Sequence, residues 1–72
     1  MKIPVEFNYK GKTYKGVLNA VGGAGNKMFH LMVNNYYCGQ LFYTEKGWRF
    51  SSQNGKLDHL ANVFIEALKG YV

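Results

Sequence analysis

The chain has 72 residues, with 9 lysines and arginines against 4 aspartates and glutamates, so its formal net charge at pH 7 is +5. This length excludes separate cofactor and substrate domains, and we expect a single domain over residues 1–72. A hydrophobic content of 47% is typical of globular proteins and excludes a fully disordered chain.

The first twenty residues predict a β-hairpin, because residues 2–10 alternate between apolar and polar side chains. The apolar face of this first strand consists of Ile3, Val5, Phe7 and Tyr9. Lys10-Gly11 fits a two-residue turn in which the glycine supplies a positive φ. That turn pairs Ile3 with Leu18 and directs Lys15 to the opposite face, so the turn and the hydrophobic pattern predict the same register.

The glycine-rich stretch over residues 21–27 predicts a mobile connection between two hairpins. Three glycines and an asparagine within seven residues favour neither a helix nor a regular strand. A phosphate-binding loop has the pattern G-x-x-x-x-G-K-[ST] before a helix. Here Asn-Lys-Met follows the last glycine and a strand comes next, so the connection is the favoured interpretation.

Three further strands are predicted over residues 28–33, 36–44 and 48–51. Asn34-Asn35 favours a tight turn, and Glu45-Lys46-Gly47 fits a three-residue loop that ends in a left-handed glycine. The two turns give a predicted core face of Phe29, Leu31, Val33, Cys38, Phe42, Trp48 and Phe50. They give a mixed face of Met28, His30, Met32, Tyr37, Gly39, Leu41, Tyr43 and Arg49. A two-residue Lys46-Gly47 turn is the alternative, and it would move Trp48 to the mixed face.

Residues 57–69 predict one amphipathic helix. Its apolar stripe consists of Leu57, Leu60, Ala61, Phe64 and Leu68. Asn54 is the candidate N-cap, and Gly70 fits a left-handed position just after the last turn. A single amphipathic helix must bury its stripe against the sheet, so we expect Phe64, at the centre of the stripe, to be the main anchor.

These elements predict an α+β fold, a five-stranded antiparallel meander with one C-terminal helix packed on one face. The alternative is a strongly twisted, barrel-like sheet that the helix plugs. The order of strands and helix is similar to that of the small coactivator-type domains that bind single-stranded DNA as dimers. The resemblance is one of topology, and no motif of this chain carries a residue role over from that family.

The chain offers little catalytic chemistry, and we predict that it is not an enzyme. Cys38, the single thiol, is predicted on the core face and His30 on the mixed face, so the two do not pair. His59 is expected on the solvated surface of the helix. The two histidines, one cysteine and four carboxylates show no paired ligand spacing, so we expect neither a metal nor another cofactor.

The mixed face predicts a binding surface. Its candidate ligand-binding residues are Lys15, His30, Tyr37, Tyr43 and Arg49. Rings interleaved with cations on an open sheet stack the bases of a single strand and neutralise its phosphates. We therefore predict a small basic binding domain for single-stranded nucleic acid. The alternative is a homodimeric or heteromeric protein-interaction module with no nucleic-acid role, because Tyr, Met and Arg are also enriched at protein interfaces.

Size and cysteine content bear on assembly and compartment. A core in so short a chain yields about 3–5 kcal/mol, and a single cysteine forms no internal disulfide. A homodimer or a core rich in aromatic rings would supply further stability. The N-terminus lacks a secretory signal, no segment has the length of a membrane span, and a free thiol fits a reducing compartment. We expect a cytoplasmic protein with no membrane partner.

Overall fold

A computed structural model, which describes residues 2–23, 25 and 27–71, contains one antiparallel sheet with the strand order β1-β2-β3-β4-β5. The elements are β1 (Lys2–Tyr9), β2 (Lys12–Ala20), β3 (Met28–Val33), β4 (Tyr36–Thr44), β5 (Gly47–Ser52) and α1 (Ala61–Lys69). This arrangement confirms the predicted α+β meander with a C-terminal helix. Ala24 and Asn26 of the predicted glycine-rich connection lie outside the described residues.

The β1–β2 hairpin has the register that its turn residues predict. Lys10 and Gly11 both adopt positive φ, at 50° and 78°, and Tyr9 pairs with Lys12 across them. Ile3 pairs with Leu18, and both side chains are completely buried. Because turn geometry and apolar alternation agree, a one-residue slip would expose the whole apolar face of β1.

The β3–β4 pairing departs from the prediction at Cys38. Met32 pairs with Tyr37 beyond the Asn34-Asn35 turn, but Leu31 pairs with Gly39 rather than with Cys38. The extra residue forms a β-bulge, and a bulge reverses the facing of every later residue on its strand. Leu41 is therefore fully buried in the core. The predictions that placed Leu41 on the mixed face and Phe42 on the core face are wrong. The predicted pairing of Cys38 with Leu31 is also wrong, although Cys38 is half-buried and packs against the core as predicted.

Gly39 explains why β4 tolerates this shift. A Cβ atom at Gly39 would lie 2.7 Å from the carbonyl oxygen of Ser51 and 2.9 Å from the Phe50 ring. Such contacts are closer than a side chain allows, so β5 approaches β4 closely only because this residue is a glycine.

The β4–β5 turn is one residue shorter than predicted. Thr44 pairs with Gly47, which leaves Glu45-Lys46 as the loop, and Tyr43 pairs with Trp48. Both the three-residue loop and the alternative Lys46-Gly47 turn are therefore wrong. The Thr44 hydroxyl holds the turn, since it donates to the Gly47 carbonyl at 2.8 Å and accepts from the Lys46 N–H at 3.1 Å. This second shift cancels the first, so Trp48 still packs against the core as predicted.

The sheet curls into a half-barrel, and α1 packs across its concave side against the two edge strands, β1 and β5. Phe64 is completely buried at the centre of this contact. Its ring lies 5.2 Å from the Phe7 ring of β1 and 4.7 Å from the Phe50 ring of β5, measured between centroids. The predicted role of Phe64 as the anchor of the helix is confirmed.

The start of the helix differs from the prediction. Two 3₁₀ turns, Gln53–Gly55 and Asp58–Leu60, precede α1, so the α-helix begins at Ala61 rather than at residue 57. Asn54 is not an N-cap, since it adopts a left-handed φ of 56° inside the first turn. Instead, one carboxylate oxygen of Asp58 accepts hydrogen bonds from the Ser52 N–H and hydroxyl at 2.8 and 2.7 Å.

The end of the helix also differs from the prediction. Gly70 has a right-handed φ of −69°, so it does not form the left-handed cap. Its N–H still donates to the Glu66 carbonyl at 3.3 Å, and the Tyr71 N–H donates to the Leu68 carbonyl at 3.0 Å. The helical turn thus continues past Lys69 without a glycine cap.

Candidate functional site

The face of the sheet turned away from α1, here called the outer face, contains three rows of side chains that cross the strands. The Glu6–Lys15, Asn8–Thr13 and Thr44–Gly47 pairs lie on the same face. The central row is polar and contains Lys2, Asn19, His30, Gln40 and Ser51. One flanking row contains Pro4, Val17, Met32 and Tyr37. The other contains Met28, Phe42 and Arg49. Polar groups therefore alternate with apolar and aromatic groups along the strand direction.

His30 and Tyr37 form an aromatic pair near the middle of the outer face. Their ring centroids are 5.0 Å apart and the ring planes are nearly perpendicular, at 77°. The bulge at Cys38 follows Tyr37 in the chain, so it leaves Tyr37 on the outer face as predicted. Tyr37 keeps 38% of its surface exposed, which leaves it available to a stacking partner.

A second aromatic group lies at the β4–β5 end of the outer face. Phe42 pairs directly with Arg49 across the two strands. These two residues, with Thr44, Glu45, Lys46 and Phe50, line an open cavity of about 530 Å³. An arginine beside an aromatic ring offers a flat apolar surface and a positive charge at one place, which suits a planar anionic ligand.

The charge of the outer face is mainly positive. Lys2, Lys15 and Arg49 are exposed on it, and Glu6 is the single carboxylate among the described strand residues of this face. Lys2 and Lys15 belong to β1 and β2, whereas Arg49 belongs to β5. The cations therefore stand at the two sides of the sheet, with the rings of His30 and Tyr37 between them.

Four of the five predicted binding residues, Lys15, His30, Tyr37 and Arg49, lie on the outer face. Tyr43 does not. The bulge turns it to the concave side, where its ring packs edge-on against Trp48 at a centroid distance of 5.3 Å. Its place on the outer face is taken by Phe42, which the sequence interpretation assigned to the core.

The residues considered for catalysis stay apart. Cys38 is half-buried in the bulge, and its Sγ contacts the carbonyl oxygen of Tyr36 at 3.6 Å. His59 packs beside the Tyr9 ring at 6.2 Å, on another part of the molecule. Within residues 2–23, 25 and 27–71, no three His, Cys, Asp or Glu side chains come close enough to share a metal ion.

Over the part of the chain that the structure describes, no helix combines the length and the apolar character needed to span a bilayer.

Comparisons of the chain with protein-family models, with curated proteins and with solved structures found no match.

Proposed function

We propose that the outer face binds single-stranded nucleic acid. The observation that supports this function best is the placement of aromatic rings between exposed cations on one face of the sheet. His30, Tyr37 and Phe42 offer rings at which bases stack, and each stacked base contributes roughly 1–3 kcal/mol. Exposed Lys15 and Arg49 are suited to neutralise phosphates at either side.

The dimensions of the face fit a short segment of a strand. Lys15 on β2 and Arg49 on β5 are three inter-strand spacings apart across the sheet, about 14 Å, and six residues apart along the strands, about 20 Å, so the path between them is a diagonal of about 24 Å. A strand that crosses the sheet in this direction passes over the His30–Tyr37 pair before it reaches the cavity beside Phe42. Ring contacts of this kind accept any base, so we expect little sequence preference.

Fluorescence anisotropy with labelled oligonucleotides at two salt concentrations tests the proposal. We expect binding at low salt that weakens as salt rises, because phosphate contacts release counterions. Tyr37→Ala and Phe42→Ala should each weaken binding roughly 5- to 150-fold, the equivalent of one lost stacking contact. Tyr43→Ala is the matched control, since Tyr43 lies on the concave side, and it should bind like the wild type.

Two results would contradict the proposal. The first is the absence of binding at low salt, where electrostatic attraction is strongest. The second is an equal loss of affinity in Tyr43→Ala and Tyr37→Ala, which would show that the outer face is not the site.

The competing hypothesis is a homodimeric or heteromeric protein-interaction module. The half-buried Val17, Met28 and Met32 on the outer face favour it, because methionine is enriched where proteins meet. Sedimentation equilibrium separates the two functions. A dimer that Tyr37→Ala dissociates, in a protein without affinity for oligonucleotides, would support the interaction module instead.

We propose the cytoplasm as the compartment of this function. Cys38 is a free thiol in a half-buried position. Reducing compartments keep such thiols free. Cell fractionation of an epitope-tagged chain would test the assignment, and recovery in a secreted fraction would contradict it.

A further inference from the structure

A groove of about 300 Å³ opens on the outer face at the place where β2 extends past β3. Pairing between these two strands covers only residues 17–20 of β2, so on its β3 side the start of β2 extends past the end of β3 towards the Asn34-Asn35 turn. The groove therefore results from the unequal lengths of neighbouring strands.

Five of the eight described residues that line this groove are lysines or asparagines, which carry hydrogen-bond donors. Its polar lining consists of the side chains of Lys2, Lys15, Asn19, Asn34 and Asn35, and we call it the lysine–amide groove. No carboxylate is among the described residues that line it. Glu6 is the cross-strand neighbour of Lys15, but it stays outside the lining.

The side chain of Asn19, which lines the lysine–amide groove, is half-buried. Its Oδ1 is buried and accepts no hydrogen bond from the described residues. The same amide also carries the Nδ2 group, which is a hydrogen-bond donor. Two ammonium groups and an amide donor on neighbouring strands form a site for an anion rather than for a cation.

We propose that the lysine–amide groove is a phosphate site that holds one phosphodiester group of the bound strand. This inference rests on the proposed function and adds the point at which the backbone of the strand is fixed. The cavity at the other side of the sheet differs, because it contains Phe42 and the carboxylate of Glu45. The first cavity thus offers contacts to phosphate, whereas the second combines the charge of Arg49 with a ring at which a base stacks.

Phosphate contacts carry no sequence information, so substitutions in a phosphate site should affect the binding of different base sequences equally. Lys2→Gln should weaken binding of oligo(dT) and of oligo(dA) by the same factor, and the same should hold for Lys15→Gln. Each substitution should also reduce the slope of log K against log salt by about 0.7, the value for one phosphate contact on a single strand. Both lysines are exposed, so the fold should stay intact, which circular dichroism checks.

Lys56→Gln is the matched control, because Lys56 is an exposed lysine between the two 3₁₀ turns and outside the groove. It should leave the salt slope unchanged. An equal change of slope in Lys56→Gln and Lys15→Gln would overturn the phosphate site, because net charge alone would then explain the effect. Unchanged slopes in Lys2→Gln and Lys15→Gln would also overturn it, and the proposed function would stand if Tyr37→Ala still weakened binding.

Titration with inorganic phosphate distinguishes a free anion from a strand. Shifts of the Asn19, Asn34 and Asn35 side-chain amide signals in ¹⁵N NMR spectra, lost in Lys15→Gln, would support the groove as a phosphate site even if oligonucleotides failed to bind. In that case the proposed function fails while the anion site stands. The absence of both phosphate shifts and oligonucleotide binding would overturn the inference.

Discussion

Replacing Phe64 with alanine removes the side chain that joins the two edges of the sheet. The ring is completely buried, and it contacts Phe7 on β1 and Phe50 on β5 at centroid distances of 5.2 and 4.7 Å. Phe64 is the one aromatic residue of α1. Truncation would leave a cavity under the helix that neighbouring side chains fill only in part.

The size of the effect follows from these contacts. Truncating a buried phenylalanine costs about 3–5 kcal/mol, and each aromatic pair contributes about 0.5–1.5 kcal/mol beyond the area it buries. Phe64 makes two such pairs, so we expect a loss near the upper end of the range. A domain of this size has about 3–5 kcal/mol in total. The Phe64→Ala variant should therefore be at least half unfolded at room temperature.

Urea unfolding followed by Trp48 fluorescence measures this loss. Trp48 is the single tryptophan, and its ring lies 6.0 Å from the buried Phe29 ring, so its emission reports on the core. Asn62→Ala is the control on the same helix, because Asn62 is exposed and its substitution should change the free energy of unfolding by less than about 0.5 kcal/mol. Equal stability of the two variants would refute the role of Phe64.

Two further predictions concern stability. Gly39→Ala should lower the free energy of unfolding by about 1–3 kcal/mol through overpacking against Ser51, whereas Gly22→Ala, whose Cβ would meet nothing within 4 Å, should be nearly neutral in the same urea assay. Hydrogen bonds from Ser52 hold the pKa of Asp58 below its ordinary value, so the ionised carboxylate stabilises the fold above that value, and the gain disappears as pH falls through the lowered pKa. Asp58→Asn should therefore lose less stability than the wild type between about pH 6 and about pH 3, and equal losses would contradict this reading.

The first hairpin could be predicted from the sequence because two independent signals agree there. The Lys10-Gly11 turn defines the pairing, and only one phase of the alternation in β1 puts Ile3 and Val5 into the core. The helix stripe was predictable for the same kind of reason, since Phe64 and Leu68 recur at helical spacing and both are buried.

The facing of β4 could not be predicted from hydrophobic alternation. This strand carries apolar or aromatic residues in both phases, with Leu41 in one and Phe42 in the other, so either phase gives a plausible core. A bulge adds one unpaired residue to a strand, and the amino-acid composition of the strand does not reveal it. The available signal was Gly39, because a glycine inside a strand indicates a bulge or a close backbone approach.

The β-bulge at Cys38 also determined which residues of the candidate site could be predicted from the sequence. Tyr37 precedes the bulge and was placed correctly, whereas Tyr43 and Phe42 follow it and exchanged faces. The lysine–amide groove could not be predicted from the sequence either, because it depends on how far β2 extends past the end of β3. Strand lengths on either side of a glycine-rich connection have no local signature.

The position of α1 has a consequence for how the chain is made. Phe7 leaves the ribosome early and Phe64 late, yet the two rings must meet before the concave side of the sheet is closed. Contacts so distant in sequence form slowly, and synthesis itself proceeds at about 5–20 residues per second. The nascent sheet therefore exposes the aromatic residues of its concave side until residues 61–69 emerge. A chain that ended before Ala61 would keep this side exposed and prone to self-association.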